Sequence, residues 1–215
     1  MTGTAHLTRG TATSNVNPNL LVQTGDRLNT DAGSGLTITL TDASKLQLGE
    51  SSVLAIDQHV LGPNGGREST RVSLFSGLVH SFVNLTATGA PNFEVHTPNA
   101  VAAARATDYA TGYQEGNTRE GYSGCNRFTD VAVYKGTVGI RQAATPNAPE
   151  VSVPEGYETT VPCGMSPLTP GPIGMTGASS ISGAAAGGGG GGAGIGALAP
   201  APIGAPPPSC PVCVP

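Results

Sequence analysis

The stretch from Thr70 to Thr111 constrains the fold more than any other part of this sequence. It contains four extended runs, separated by Gly77, by Gly89-Ala90-Pro91 and by Pro98-Asn99. Apolar side chains recur there at every second position, without a helical period, which predicts strands that bury one face. The alternating residues are Val72, Leu74, Leu78, Phe82, Phe93 and Val95. An all-β fold class is therefore predicted.

The distribution of charge predicts two parts. Every Asp, Glu, Lys and Arg lies within residues 1–163, whereas residues 164–215 contain 14 of the 32 glycines and 10 of the 18 prolines. A charge-free segment rich in Gly and Pro is typical of an extended or flexible tail. We therefore predict a β domain over 1–163, long enough to bury a substantial core. A low-complexity tail over 164–215 then ends in Cys-Pro-Val-Cys.

Composition argues against several classes of partner. The net charge is −4 and no two Lys or Arg residues are adjacent, so nucleic-acid binding is not expected. The sequence contains no run of 18 apolar residues, so no membrane-spanning helix is predicted. The first ten residues show no signal-peptide pattern. Either the protein is intracellular, or the numbering begins at a mature or engineered end; we favour the second and expect an extracellular or periplasmic location.

A loose internal repeat suggests how the strands are connected. Four segments read as strand, glycine corner, strand, with the corners at Gly25, Gly77, Gly136 and Gly156. Repeats of this kind without helices predict a stack of β-arcs and hairpins, or a rolled, partly solenoidal sheet. A β-sandwich is the competing architecture.

A series of short motifs occurs in one order along the chain. They are Thr24–Thr30, Leu36–Leu40, Asp42–Gly49, Leu74–Val79, Phe93–Pro98, Ala102–Thr107, Val133–Val138 and Val153–Gly156. Together they resemble the FecR domain, the periplasmic sensing domain of iron-dicitrate-type sigma regulators and of many stand-alone exported proteins. The resemblance implies a β fold and an extracytoplasmic setting. Sigma regulators carry a helical segment and a membrane helix before this domain; this sequence shows neither, so transmembrane signalling is not implied.

Two motifs depart from the family pattern. Asp42-Ala43-Ser44 stands where the family has Asp-Gly-Ser, and Arg105-Ala106-Thr107 stands where it has Arg-Gly-Thr. Alanine disfavours positive φ, so we expect both corners to be bent differently. Arg105 is the one charged residue of an apolar stretch, and we expect its guanidinium to bond backbone carbonyls at a corner, a structural role.

The four cysteines fall into two pairs. Cys125 and Cys163 could form a disulfide that ties down the last strand, and we hold this open. Cys210 and Cys213 could form a redox pair, half a zinc site or a disulfide handle. A redox pair requires a helix N-terminus that lowers the thiol pKa, and the proline-rich sequence predicts none. A zinc site requires a second pair of ligands at matched spacing, and none lies nearby in the sequence. We therefore favour cross-linking, within or between chains.

Catalytic and metal-binding signatures are weak. His80 and His96 lie on consecutive predicted strands and could face each other as a metal-binding pair. We favour the alternative interpretation, in which both are polar residues on the solvated face of a sheet. Gly187–Gly192 lacks the lysine and hydroxyl of a phosphate-binding loop. The acidic residues lie mostly at turns. We therefore predict no enzyme activity, no cofactor and no metal.

Two functions remain from different classes. The leading hypothesis is a non-catalytic extracellular structural protein that self-associates, because open stacks of β-arcs leave unpaired strand edges. Its partner would be itself, with the tail and its cysteines fastening neighbours, and a filament subunit is one form. The alternative is a periplasmic FecR-like sensing or partner-binding module that recognises a protein or a glycan.

Overall fold

All regular structure in the computed structural model is β. The described residues are 1–85, 93–145, 147–174 and, for the backbone, 212–213; they contain no helix, and hence none able to cross a membrane. The strands are β1 (Ala5–Arg9), β2 (Ala12–Asn15), β3 (Leu20–Leu21), β4 (Arg27–Thr30), β5 (Leu36–Thr39), β6 (Lys45–Leu48), β7 (Val53–Leu61), β8 (Arg67–Phe82), β9 (Phe93–His96), β10 (Ala100–Ala104), β11 (Asp108–Glu115), β12 (Arg127–Lys135), β13 (Thr137–Gln142), β14 (Val151–Pro154), β15 (Tyr157–Pro162), β16 (Gly171–Pro172) and β17 (Val212–Cys213). The predicted all-β class is confirmed.

The strands form two layers that share β8. The first sheet runs in the order β2-β1-β4-β7-β8-β9-β10-β13-β14. The second runs β3-β17-β5-β6-β8-β11-β12-β15-β16. Pairing is antiparallel except between β8 and β9 and at β17. The sheet is therefore mixed, and chain segments pass repeatedly from one layer to the other through β-arcs.

β8 changes layer at a glycine. Gly77 has φ of 81°, and a Cβ built there would lie 2.3 Å from Ser52 Oγ. That hydroxyl accepts a hydrogen bond from the amide of Leu78 at 2.9 Å and donates one to its carbonyl at 3.1 Å. Glycine is required at this corner both for the left-handed backbone and for the close approach of Ser52.

The core lies between the two sheets and consists mainly of aliphatic side chains. β5 and β9 both alternate buried and half-buried positions, as a strand with one core-facing side must. The largest fully buried apolar side chains are Tyr109, Tyr113, Phe93 and Phe128. Because one side of each sheet is covered by the core, the opposite sides are free to carry polar groups.

Local structure differs from the predictions in two places. β2 forms in a polar stretch without alternating apolar residues, because it pairs with β1 as a hairpin. Past the predicted boundary at 163, Leu168 N donates to Thr160 O at 2.9 Å and Ile173 N donates to Gly156 O at 3.0 Å. The start of the predicted tail therefore packs on β15. The rest of the tail, with Cys210 and the side chain of Cys213, lies outside the described residues.

The two alanine corners correct an expectation. Ala43 has φ of 61° and Ala106 has φ of 52°, so both adopt the left-handed conformation that glycine favours. At the first corner, Asp42 accepts hydrogen bonds from the amide and the hydroxyl of Ser44, at 3.0 and 2.8 Å. Side-chain bonds of this kind stabilise a turn against the cost of the alanine Cβ. The expectation that alanine would bend these corners differently was wrong.

Candidate partner-binding site

Four neighbouring strands of the second sheet place Lys45, Phe82, Asp108 and Lys135 in one cross-strand row. Lys45 pairs with Phe82, Phe82 with Asp108, and Asp108 with Lys135. The register shifts directly after Asp108, as at a β-bulge, which can re-aim a side chain at a strand end. We call these four residues the docking row.

The docking row lies on the outer side of the second sheet. Leu46 and Val83, which follow the first two members in the chain, are both buried in the core. Since successive side chains of a strand point to opposite sides, Lys45 and Phe82 face outward. Lys135 is exposed, and Phe82 is half-buried.

His80 forms the floor beside the row. Its ring stacks on Phe82 at 4.3 Å between centroids and lies tilted against Tyr134 at 5.1 Å. Its Nε2 hydrogen-bonds a carboxylate oxygen of Asp108. Burial raises the pKa of Tyr134, and the nearby carboxylates of Asp108 and Glu158 raise it further, so Tyr134 is a neutral phenol here. The result is a packed aromatic surface with one engaged carboxylate.

A cleft of about 350 Å³ opens at the end of the row. Besides three members of the row, it is lined by Val83, Asn84, Leu85, Ala106 and Thr107. Leu85 is largely exposed to solvent, with 71% of its surface accessible. A volume of this order can accept one or two side chains of a ligand or partner.

Two corners build one wall of the cleft. Gly136, at the turn from β12 to β13, has φ of 85°, and a Cβ there would meet Thr107 Cγ2 at 2.9 Å. The carbonyl of Ala106 would lie 3.2 Å from the same Cβ. Glycine therefore lets the β12–β13 corner pack directly on the β10–β11 corner.

A buried ion pair holds the opposite wall. Arg67 is fully buried and pairs with Asp42, and its guanidinium donates to Ser44 Oγ at 2.9 Å and to the carbonyl of Asn84 at 3.0 Å. The amide of Asn84 donates to Ser44 Oγ at 3.0 Å, and its side-chain amide donates to the carbonyl of Asp42 at 3.2 Å. This network fixes the backbone immediately before Leu85.

The predicted cysteine pair is bonded. Cys125 and Cys163, a pair that the sequence left open, form a disulfide. It joins the loop between β11 and β12 to the end of β15. In the same loop, Arg119 forms hydrogen bonds to Asp130 at 2.8 and 2.6 Å and lies over the ring of Phe128. The loop is thus fixed over the second sheet, away from the docking row.

The two histidines that were considered as a metal pair do not meet. His80 lies in the second sheet beside Asp108, whereas His96 lies in the first sheet and hydrogen-bonds Glu94 at 2.7 Å. They are separated because the chain changes layer between His80 and β9. His80 is also buried, not on a solvated face. Among the described residues, no cluster of three or more metal-ligating side chains occurs.

The predicted corner residues are distributed over the domain. Gly25 precedes β4 with φ of 92°, and Gly156 lies between β14 and β15 with φ of 80°. Arg105 is exposed at the corner that contributes Ala106 to the cleft. Its role as a structural corner residue stays a prediction, as do those of the two glycines.

Sequence reasoning missed the docking row. Lys45 and Lys135 each lie beside a corner motif, after Ser44 and before Gly136, and they are the two lysines of the sequence. That rarity was a usable signal. Their common row follows from cross-strand register, which the order of residues does not give.

The strands and corners define an all-β domain built from β-arcs. A family model described as FecR protein matches residues 26–139, more than half of the chain. The chain belongs to the FecR family, and the resemblance found in its motifs is confirmed.

Solved structures show the same fold. Two crystal structures of a candidate anti-sigma factor from Parabacteroides distasonis ATCC 8503, at 1.65 and 2.50 Å resolution, each superpose with a TM-score of 0.50 and 15% identity. Each likeness covers 68% of this chain and 59% of the other, so this chain spans less than two thirds of that protein. No curated protein matches the chain.

Proposed function

We propose that this chain is a non-catalytic sensing or partner-binding module that acts outside the cytoplasm and recognises a protein partner at the docking row and its cleft. Membership of the FecR family supports a regulatory role. The likeness to a candidate anti-sigma factor, a class that acts on proteins, favours a protein over a glycan. The Cys125–Cys163 disulfide supports an oxidising compartment.

The observation that carries the proposal is the construction of the cleft. An aromatic ring, an exposed leucine and the cation of Lys135 line one cleft, on walls fixed by a buried ion pair and by a glycine contact. Protein interfaces typically combine apolar and aromatic anchors with a polar rim. A rigid surface of this kind also loses little conformational freedom when a partner binds.

The comparisons favour this alternative over the self-assembly hypothesis. Neither the family nor the similar structures support a filament or structural role. Most of the tail, which the assembly hypothesis requires, lies outside the described residues. Self-association therefore stays a prediction without support.

Site-directed photo-cross-linking tests the proposed function. A photoreactive residue is placed at Leu85 in the cleft and, as a control, at Val60, which is 37% exposed on the β7–β8 hairpin. We expect a discrete protein product at 85 in intact cells and none of the same mass at 60. That partner is then purified, and Leu85→Ala should weaken its binding. Identical products at both positions, or none at 85, would contradict the proposal.

The same cells test the location. We expect Cys125 and Cys163 to resist thiol alkylation in the extracytoplasmic fraction until a reductant is added. A chain found reduced in the cytoplasmic fraction would contradict this part of the proposal.

A further inference from the structure

The docking row contains both lysines of the sequence. Ten residues are Lys or Arg, of which eight are arginines and two are Lys45 and Lys135. They occupy the two ends of one row, on β6 and β12, with Phe82 and Asp108 between them. Two flexible, compact cations thus flank an aromatic ring.

Like Arg27 and Arg127, the two lysines form no ion pair among the described residues. Every ion pair recorded among the described residues involves arginine or histidine, at the positions Arg9, Arg67, Arg71, Arg119, Arg141, His6, His80 and His96. Lys45 and Lys135 form no ion pair with a described carboxylate. The carboxylate between them, Asp108, is engaged by His80. The ends of the row therefore carry positive charge that a partner can neutralise.

The spacing of the row fixes the form of a complementary segment. Lys45 and Lys135 lie three strand intervals apart, or about 14 Å at the usual spacing between strands. An extended chain advances about 3.3 Å per residue, so residues i and i+4 span about the same distance and point to the same side. Residue i+2 also points to that side, midway between them, where Phe82 and Asp108 lie next to each other.

We propose that the docking row recognises an extended protein segment of the pattern acidic–x–apolar–x–acidic. The two carboxylates bind Lys45 and Lys135, and the apolar side chain packs on Phe82. This inference rests on the proposed function and specifies the chemistry of the partner. If the lysines instead serve only to keep the sheet surface soluble, the order of residues in the ligand will not matter.

Two synthetic peptides test the pattern directly. The first carries Glu-Ser-Leu-Ser-Glu in a Gly/Ser frame with a fluorescent label, and the second carries the same residues as Glu-Glu-Ser-Ser-Leu. Anisotropy titrations use the full-length protein at low and moderate salt. We expect the patterned peptide to bind about fivefold more tightly than its permuted control, as two solvent-exposed ion pairs provide. Added salt should reduce the difference.

Matched variants assign the effect to the row. Lys45→Gln combined with Lys135→Gln should abolish the preference, whereas Lys45→Arg combined with Lys135→Arg should retain most of it because the charges remain. Arg127→Gln is the control, since it removes an exposed charge from the other end of β12. Thermal unfolding of each variant should remain close to that of the wild type.

Each result decides the inference. A patterned preference that the lysine substitutions remove supports it. Equal binding of both peptides, or a preference that survives in the glutamine variant, overturns it. Its failure can be told from failure of the proposed function, because a partner captured at Leu85 whose binding ignores both lysines would leave that function standing.

Discussion

On the outer side of the first sheet, Glu94 contacts one histidine and two arginines. Its carboxylate lies 2.7 Å from His96, 3.1 Å from Arg141 and 3.6 Å from Arg71. The hydrogen bond from His96 lowers the pKa of Glu94, burial opposes the shift, and the two arginines lower it further. These four residues form the Glu94 cluster, in which the charge of the carboxylate is neutralised by groups of the same domain.

At the docking row, on the outer side of the second sheet, the arrangement is different. The acidic residue of the row, Asp108, is held by His80, while Lys45 and Lys135 form no ion pair with a described carboxylate. In the cluster around Glu94 the charges are already paired with one another, so little charge is left for a partner to neutralise. Lys45 and Lys135 are not paired with a described carboxylate, so their charge is available to a partner. The charges of the first surface therefore contribute to stability, and we propose that those of the second surface contribute to recognition.

The largest expected effect concerns the cross-link over the second sheet. Replacing Cys125 and Cys163 by Ser should lower the free energy of unfolding by about 4 kcal/mol, since it releases a 38-residue loop in the unfolded chain. Urea unfolding measures the change. Cys210→Ser with Cys213→Ser is the control and should leave it unaltered. Equal stability of both double variants would mean that the cross-link does not stabilise the second sheet.

The next effect concerns the ion pair behind the cleft. Asp42→Asn should cost about 3 kcal/mol, because Arg67 then keeps a buried charge without its carboxylate. Thermal and urea unfolding provide the measurement. Asp57→Asn, at an exposed position of the first sheet, should cost less than about 0.5 kcal/mol. Similar costs at both positions would show that the cleft wall does not depend on the buried pair.

The contacts of Glu94 with His96, Arg141 and Arg71 predict that the stability of the protein depends on pH. Because the pKa of folded Glu94 is lowered, its stabilisation is present above the unfolded value of about 4.3 and is lost as pH falls through the folded value. Glu94→Gln should therefore cost about 1 kcal/mol at pH 7, and the difference from wild type should close between about pH 5 and pH 3.

Lys45→Gln is the control for the pH dependence of Glu94→Gln. It should change stability by less than about 0.5 kcal/mol over the same pH range, since no described carboxylate depends on it. Urea unfolding at pH 7, 5 and 3 measures both variants. A pH-independent cost for Glu94→Gln would remove the distinction between the two surfaces.

The smallest expected effect is a gain at the alanine corners. Ala43→Gly and Ala106→Gly should each stabilise by about 0.5–1 kcal/mol, because glycine relieves the strain of positive φ at the cost of some entropy. Gly136→Ala is the counterpart and should destabilise, since its Cβ would also press on Thr107. Differential scanning calorimetry measures all three. Destabilisation by either glycine would mean that the alanine methyl contributes packing that outweighs its strain.

Much of the fold could be predicted from local pattern. The alternation around Leu36–Thr39 and Phe93–His96 gave the strands, and the glycine corners gave the changes of direction. β2 was missed because Ala12–Asn15 is polar and forms a strand only through its pairing with β1. The alanine corners were misjudged because the Asp42–Ser44 hydrogen bonds that stabilise one of them depend on the folded turn.

By itself, the sequence determined the all-β class, the family and the Cys125–Cys163 pair as a candidate, since period, motif order and composition are local properties. Only the tertiary structure decided which layer each strand joins, and therefore which side chains become neighbours. It separated His80 from His96 and brought Lys45 to the same row as Lys135, ninety positions along the chain. The physical reason is that cross-strand register depends on burial of the shared core, and no residue pattern along one strand specifies the strand that will lie beside it.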